Sequence, residues 1–272
     1  MGLVESMDIV EEPGAAESAA SELVYTRAGV ALPRQARRRV WPRRDLHAAA
    51  VRYTVHTFTA RSAQGAAILE EAYRLRARVF MGELGWLAPS ADGRERDRCD
   101  RVARHFAVFA HPLDGAPPGL AGYARALLPR HGFMLQREFI ELLGGERFTP
   151  DARRAFEVSR FVIHPARRGQ RCDEGRTITE HLARGIARWA GAAGRDEWYT
   201  VCETRYLRAL RLRGLEFAPF GLPVEYQPGI EARAAVLRLS VAAASLRARR
   251  PRDYGWYTRG ADMSPVLQER AH

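Results

Sequence analysis

Residues 67–83 carry the pattern that most constrains this chain. On a helix, Ile68, Ala72, Leu75 and Val79 fall on one apolar stripe. Arg76 stands at the edge of that stripe, four residues from both Ala72 and Phe80, while Arg78 falls on the other flank and Arg74 on the wet side. An arginine held against an apolar face needs a partner, because an unpaired buried charge costs several kcal/mol. Any fold of this chain must therefore return carboxylates to that helix, and Glu95, Asp97 and Asp100 are the nearest supply. The same stretch holds two large aromatics, Phe80 and Trp86.

The 272 residues suffice for one substantial core with extra tails. Net charge is +11, and since the chain contains no lysine, every basic residue in that count is arginine. A basic surface favours acidic partners such as nucleic acid, an acidic carrier protein or an anionic membrane. A coding bias toward arginine explains the missing lysine equally well. Cys99, Cys172 and Cys202 are odd in number and lack paired spacing, so neither a disulfide framework nor a zinc knuckle is expected. With no run of about 18 apolar residues and an acidic start, the chain is expected to be cytoplasmic, without membrane insertion.

Residues 1–50 pass from an acidic, Ala/Ser-rich start to an arginine cluster and read as a disordered extension. Alternation over 51–56 predicts a first strand, followed by the helix over 67–83. Apolar runs at 105–110 and 119–128, separated by a Gly/Pro-rich loop, predict a hairpin. A short helical segment over 133–143, a strand over 156–164, a helix over 174–190, a strand over 198–202, a helix over 206–213 and a last strand over 236–243 follow. The basic segment 246–272 is expected to attach loosely, leaving 51–245 as the folded domain. This order of elements predicts an α/β fold with a mixed sheet.

Five separated pieces then carry a resemblance. Tyr73-Arg-Leu-Arg76-Ala-Arg-Val-Phe80, Leu84-Gly-Trp86, Glu95-x-Asp97-x-x-Asp100, Gly122-x-x-Arg125 and Glu157-x-Ser159-Arg160-Phe161 stand in the order and approximate spacing of the LuxI-type acyl-homoserine-lactone synthases. The chain resembles that family from about residue 55 to residue 220. The resemblance implies a GNAT-like three-layer αβα fold whose central mixed sheet splays to admit a phosphopantetheine arm. It also implies a reaction used in quorum sensing. The amine of S-adenosylmethionine attacks an acyl thioester, usually on acyl carrier protein, and lactone closure expels methylthioadenosine.

That chemistry assigns roles. A protonated amine cannot attack, so a carboxylate or a water it orients must take the proton. Glu157, at the start of an otherwise apolar strand, is the candidate base, its alternative being a partner for Arg160 or Arg125. The oxyanion needs donors, and in GNAT-like folds these are backbone amides at a bulge, local to Ser159, Arg160 and Phe161. In a regular strand Glu157 and Arg160 point to opposite faces, so a bulge is required for both to serve one site. Asp97 and Asp100, with Glu95 nearby, suit the cationic end of the substrate, and Arg76 or Arg125 its carboxylate. Phe80 and Trp86 either wall the methionine-derived part or simply pack the core.

Phe133, Met134, Leu135, Phe139 and Leu142 either line an acyl tunnel or form ordinary core, and Thr200 falls where a hydroxyl would meet a 3-oxo group. The three carboxylates lack the glycine spacing of a calcium loop, so no metal is expected, and no cofactor beyond the two substrates. Arg167, Arg168, Gly169, Gln170 and Arg171 suit phosphate, which keeps an acyl-CoA donor open. The competing readings are an N-acyl amino acid synthase that forms no lactone and a nucleic-acid binder using the arginine-rich arm. No helix-turn-helix or aromatic RNA-binding motif supports the latter.

Overall fold

A computed structural model describes residues 51–259; the leader over 1–50 and the end of the tail lie outside the described residues. Among the described residues seven strands form one sheet: β1 (Val51–Phe58), β2 (Arg104–Pro112), β3 (Gly119–Leu127), β4 (Ala155–Ile163), β5 (Glu197–Glu203), β6 (Ala218–Gln227) and β7 (Ile230–Arg238). Their order is β1-β2-β3-β4-β5-β7-β6. Only β4 and β5 pair in parallel, which makes the sheet mixed. The helices are α1 (Ala63–Arg76), α2 (Ile178–Ala192), α3 (Thr204–Arg211), α4 (Leu239–Arg249) and α5 (Pro251–Thr258).

The β4–β5 ladder runs only from Ala155↔Glu197 to Val158↔Thr200, after which β4 continues to Ile163 and β5 to Glu203 without pairing to each other. The central strands therefore part, as expected for a GNAT-like sheet. On one face, Ile178, Leu182 and Ile186 of α2 pack on Phe106, Val108, Phe156 and Val158. The helix starts there because Thr177 accepts the Glu180 N–H while the Glu180 side chain returns to the Thr177 N–H, a closed capping box. On the other face, Ile68, Leu69, Ala72 and Leu75 of α1 pack on Ala107, Tyr123 and Val162. Beside α1 on that face, the connection between β3 and β4 lays down Phe133, Met134, Leu135 and Leu142 against Leu127 and Ala155.

Three expectations are corrected. The last strand is not 236–243: β7 ends at Arg238 and α4 begins at Leu239. A short apolar run is readable as either element, and pairing of β7 along β5 decided it. The edge strand β6 went unforeseen because Pro219, Gly221 and Pro223 interrupt it; an edge tolerates them, with a register shift between Phe220 and Val224. The segment from 246 is not loose as far as it is described. Leu246 and Trp256 are buried, and the boundary at 245/246 falls inside α4. The segment expected as helical over 133–143 is two 3₁₀ turns, Met134–Gln136 and Ile140–Leu143, closed by Gly144 at φ 61°.

Candidate active site

Between the two apolar clusters of the α1 face lies a buried charge cluster. Arg76, the last residue of α1, is fully buried rather than at an edge, because the chain continues from it into a π-helical turn, Ala77–Glu83, that turns Phe80 inward. Its Nε donates to Glu95 and its Nη1 to Asp100 at 2.7 Å. Glu95 is pinned by its own N–H to the Tyr73 carbonyl at 3.1 Å. Asp97 caps the 3₁₀ turn Arg98–Arg101, accepting the Cys99 N–H at 2.8 Å, while Asp100 accepts the Asp97 N–H at 2.8 Å. That reciprocal cap orients both aspartates toward the sheet.

Arg125 of β3 reaches Asp97 through both terminal nitrogens, at 2.6 and 2.7 Å, and Asp100 at 2.5 Å. Its Nε donates to Ser159 Oγ at 3.1 Å. Arg160 donates to Glu95 at 3.0–3.1 Å and to Asp97 at 2.9 Å. Three arginines thus neutralise three carboxylates. Burial pushes each carboxyl up, but the guanidinium charges outweigh it and hold all three below the usual range: Arg160 and Arg76 at Glu95, Arg125 and Arg160 at Asp97, Arg125 and Arg76 at Asp100.

The bulge required by the sequence is at Arg160. Between Tyr123↔Val162 and Arg125↔Ser159 the β3–β4 register slips by one residue, and Arg160 takes φ 53°. Consecutive side chains Ser159 and Arg160 consequently both reach the charge cluster. The same slip sends Phe161 to the α2 face, where it packs with the opposite core; it does not join the cluster, and only its backbone is local to the bulge. Phe80 lies between Arg160, 5.6 Å from its ring centroid, and Trp86, stacked at 5.8 Å. The cation resting on Phe80 is therefore Arg160.

Glu157 is neither partner of Arg125 nor of Arg160. Its oxygens accept the Met134 N–H at 2.6 Å and the Leu135 N–H at 2.9 Å, and burial raises its pKa to about 7 against those two bonds. It stands behind Met134, whose sulfur touches Arg125 at 3.3 Å and Arg160 at 3.7 Å. Thr200 closes the last β4–β5 pair by donating to the Val158 carbonyl at 3.2 Å. Phe133, Leu135 and Leu142 are packed core, and Phe133 meets Phe148 and Tyr199.

These pieces lie within the span that matches a known family: the autoinducer synthase model matches residues 60–247. The chain belongs to the autoinducer synthase family. An acyl-homoserine-lactone synthase of Rhizobium radiobacter is 31% identical over 159 residues, covering 57% of this chain and 72% of the relative. One from Aeromonas salmonicida is 31% identical over 152 residues, covering 56% and 70%. Among solved structures, the CoA-dependent acyl-homoserine lactone synthase BjaI with SAM and isopentyl-CoA aligns with TM-score 0.60 at 21% identity, covering 74% of this chain and 89% of that one. The autoinducer synthase membership makes the chain an acyltransferase, and the shared fold is the α/β, GNAT-like one.

Two residues packed against the charge cluster, His105 and Tyr123, escape the sequence reading. His105 of β2, directly opposite Arg125, is fully buried, and burial pulls its pKa down to about 4. A neutral ring donates Nε2–H to the Asp100 carbonyl at 2.9 Å and accepts the Tyr123 hydroxyl at Nδ1 at 2.7 Å. A histidine and a tyrosine on adjacent apolar strands were the available signal. A cleft of about 460 Å³ lies apart from the charge cluster, lined by Arg74, Arg78, His164, Arg167 and Gln170 among others. Among the described residues no helix is long and apolar enough to cross a membrane.

Proposed function

We propose that this chain is an acyl-homoserine-lactone synthase that transfers an acyl group from an acyl thioester to the amine of S-adenosylmethionine, with lactone closure and release of methylthioadenosine. The observation that carries this reading is the parting of β4 and β5 beside the buried charge cluster, where a thioester arm would reach the Arg160 bulge. S-adenosylmethionine approaches from the side of Asp97, the least buried carboxylate of the cluster at 14% side-chain exposure, with Phe80 and Trp86 as its wall. Glu95, Asp100, Arg76, Arg125 and Ser159 hold that wall in place rather than exchanging partners. Backbone amides at the bulge receive the oxyanion. Glu157 takes the amine proton through a water, its pKa near neutrality matching that task. The acyl chain enters among Phe133, Phe139 and Tyr199. No resident cofactor takes part.

The donor in this reading is acyl carrier protein. An acyl-CoA donor is favoured by one observation, the arginine-lined cleft at the end of β4, whose Arg78, Arg167 and Gln170 suit a diphosphate. Purified protein incubated with S-adenosylmethionine and either acyl-carrier protein or acyl-CoA should yield methylthioadenosine and lactone in equal amounts by mass spectrometry. The ratio of kcat/KM for the two thioesters identifies the donor. An acylated amine without methylthioadenosine would instead mark an N-acyl amino acid synthase, and no acyl product with either donor would refute the reading.

A further inference from the structure

A second cluster of reactive side chains lies on the α2 face, away from the charge cluster. Cys172 and Glu174 belong to the connection between β4 and α2, and His181 stands early in α2. The connection doubles back on itself. The Cys172 N–H donates to the Arg176 carbonyl at 2.8 Å, the Gly175 N–H donates to the Cys172 carbonyl at 2.8 Å, and Gly175 takes the left-handed φ of 73° that this turn demands. The turn brings Cys172 Sγ to 3.5 Å from His181 Nε2. With a Glu174 carboxylate oxygen, the three ligand atoms all lie within 4.8 Å of one another.

The Cys172–His181 spacing is that of a metal site, and the Glu174 side chain, exposed and close by, is within reach of the same ion. Zinc bonds of about 2.3 Å to sulfur and about 2.0 Å to nitrogen, opened to a tetrahedral angle, put the two ligand atoms about 3.5 Å apart. The Cys172–His181 edge already has that length. Glu174 is oriented from behind, since Trp256 of α5 donates its Nε1–H to Glu174 Oε2 at 2.7 Å and leaves the other oxygen for a ligand. An independent observation points the same way. The Tyr53 hydroxyl is buried and has no hydrogen-bond partner among the described residues, although the residue is only 6% exposed. Tyr53 lines, with Cys172, Glu174 and His181, a cavity of about 280 Å³. A water on an open metal position in that cavity would give the hydroxyl its partner.

We propose that Cys172, Glu174 and His181 form a site for a soft divalent cation, zinc, whose fourth position opens into the cavity beside Tyr53. Binding displaces the thiol proton of Cys172, so that thiolate and carboxylate together balance the two positive charges of the ion. A neutral site is what Arg52, Arg184 and Arg188, which also line the cavity, permit. The ion would tie the connection after β4 to α2 and, through Trp256, to α5. That connection also carries Arg167 and Gln170 of the basic cleft, so the site is structural support for the cleft. The site stands whichever acyl transfer the protein performs.

Cobalt(II) added to the full-length, chelator-stripped protein tests it. One equivalent should produce tetrahedral visible bands and a thiolate charge-transfer band, both displaced by zinc. The charge-transfer band should vanish in Cys172→Ser and persist in Cys202→Ser. Zinc at a hundredfold excess over Kd should raise the melting temperature by about 5–10 °C. Should Cys172→Ser not fold, Glu174→Gln, at an exposed position, should weaken cobalt binding by about tenfold or more. A missing charge-transfer band in the wild-type protein, its survival in Cys172→Ser, or unchanged affinity in Glu174→Gln would overturn the proposal.

Discussion

Replacing Glu157 by glutamine separates the effect of burial from the effect of charge. The residue is 1% exposed, and burial raises its pKa from the ordinary 4.5 to about 7. A folded-state value above the unfolded one means that the native state holds the proton more tightly. The stability contributed by the protonated acid is therefore complete below about pH 4.5 and is lost as the pH rises through about 7. Integrated from about pH 5 to about pH 8, that loss amounts to about 2.5 kcal/mol. Glutamine does not ionise, so the stability of Glu157→Gln minus that of the wild type should rise by the same amount over the window. A pH-independent cost of about 1–3 kcal/mol lies beneath it, because the amide nitrogen faces one of the two backbone donors. His105 and His181, both drawn down to about 4 by burial, titrate in both proteins and cancel in the difference. Urea denaturation across the window reads it. A stability difference that stays flat with pH would refute burial as the cause of the shift. In the same variant kcat should fall by about 10²–10⁴ with little change in KM, and the rise of wild-type kcat through about pH 7 should disappear.

Arg76→Ala leaves Glu95 and Asp100 each short of a buried cation, and should cost about 3–5 kcal/mol in chemical denaturation together with most of the activity. Loss below 1 kcal/mol would show that the charges are solvated. For Asp97 the folded pKa is depressed, so its stabilisation is present above the unfolded value near 3.8 and is lost as the pH falls; Asp97→Asn should accordingly flatten the acid limb of a melting-temperature profile below about pH 4. Gly122→Ala would place a Cβ 2.5 Å from Ile178 and 3.3 Å from Leu182, so overpacking of about 1–3 kcal/mol is expected by thermal melting, with the charge cluster intact.

Much of the site was legible because its demands are local. The stripe containing Arg76 implied carboxylate partners, and Glu95 and Asp100 supply them. The parity of Glu157 and Arg160 implied a bulge, and Arg160 at φ 53° is that bulge. Where the reading failed, the deciding contact was distant in sequence. The side chain of Phe161 is one case: the extra residue of the bulge turns it to the α2 face and leaves only its backbone beside Ser159 and Arg160. For Glu157 the alternative of an arginine partner falls away because the connection carrying Met134 and Leu135 folds over it and supplies both its bonds. The loose tail foreseen from 246 overlooked Trp256, which packs edge-on to His181 at 5.1 Å.

By itself the sequence determined which groups had to be neutralised and which elements would form, since helix period, strand alternation and capping act over a few residues. Tertiary structure decided which charges meet, which face each side chain of β4 takes, and that Cys172 and His181 come together. Those outcomes hang on the register between strands far apart in the chain, where a slip of one residue exchanges core for site.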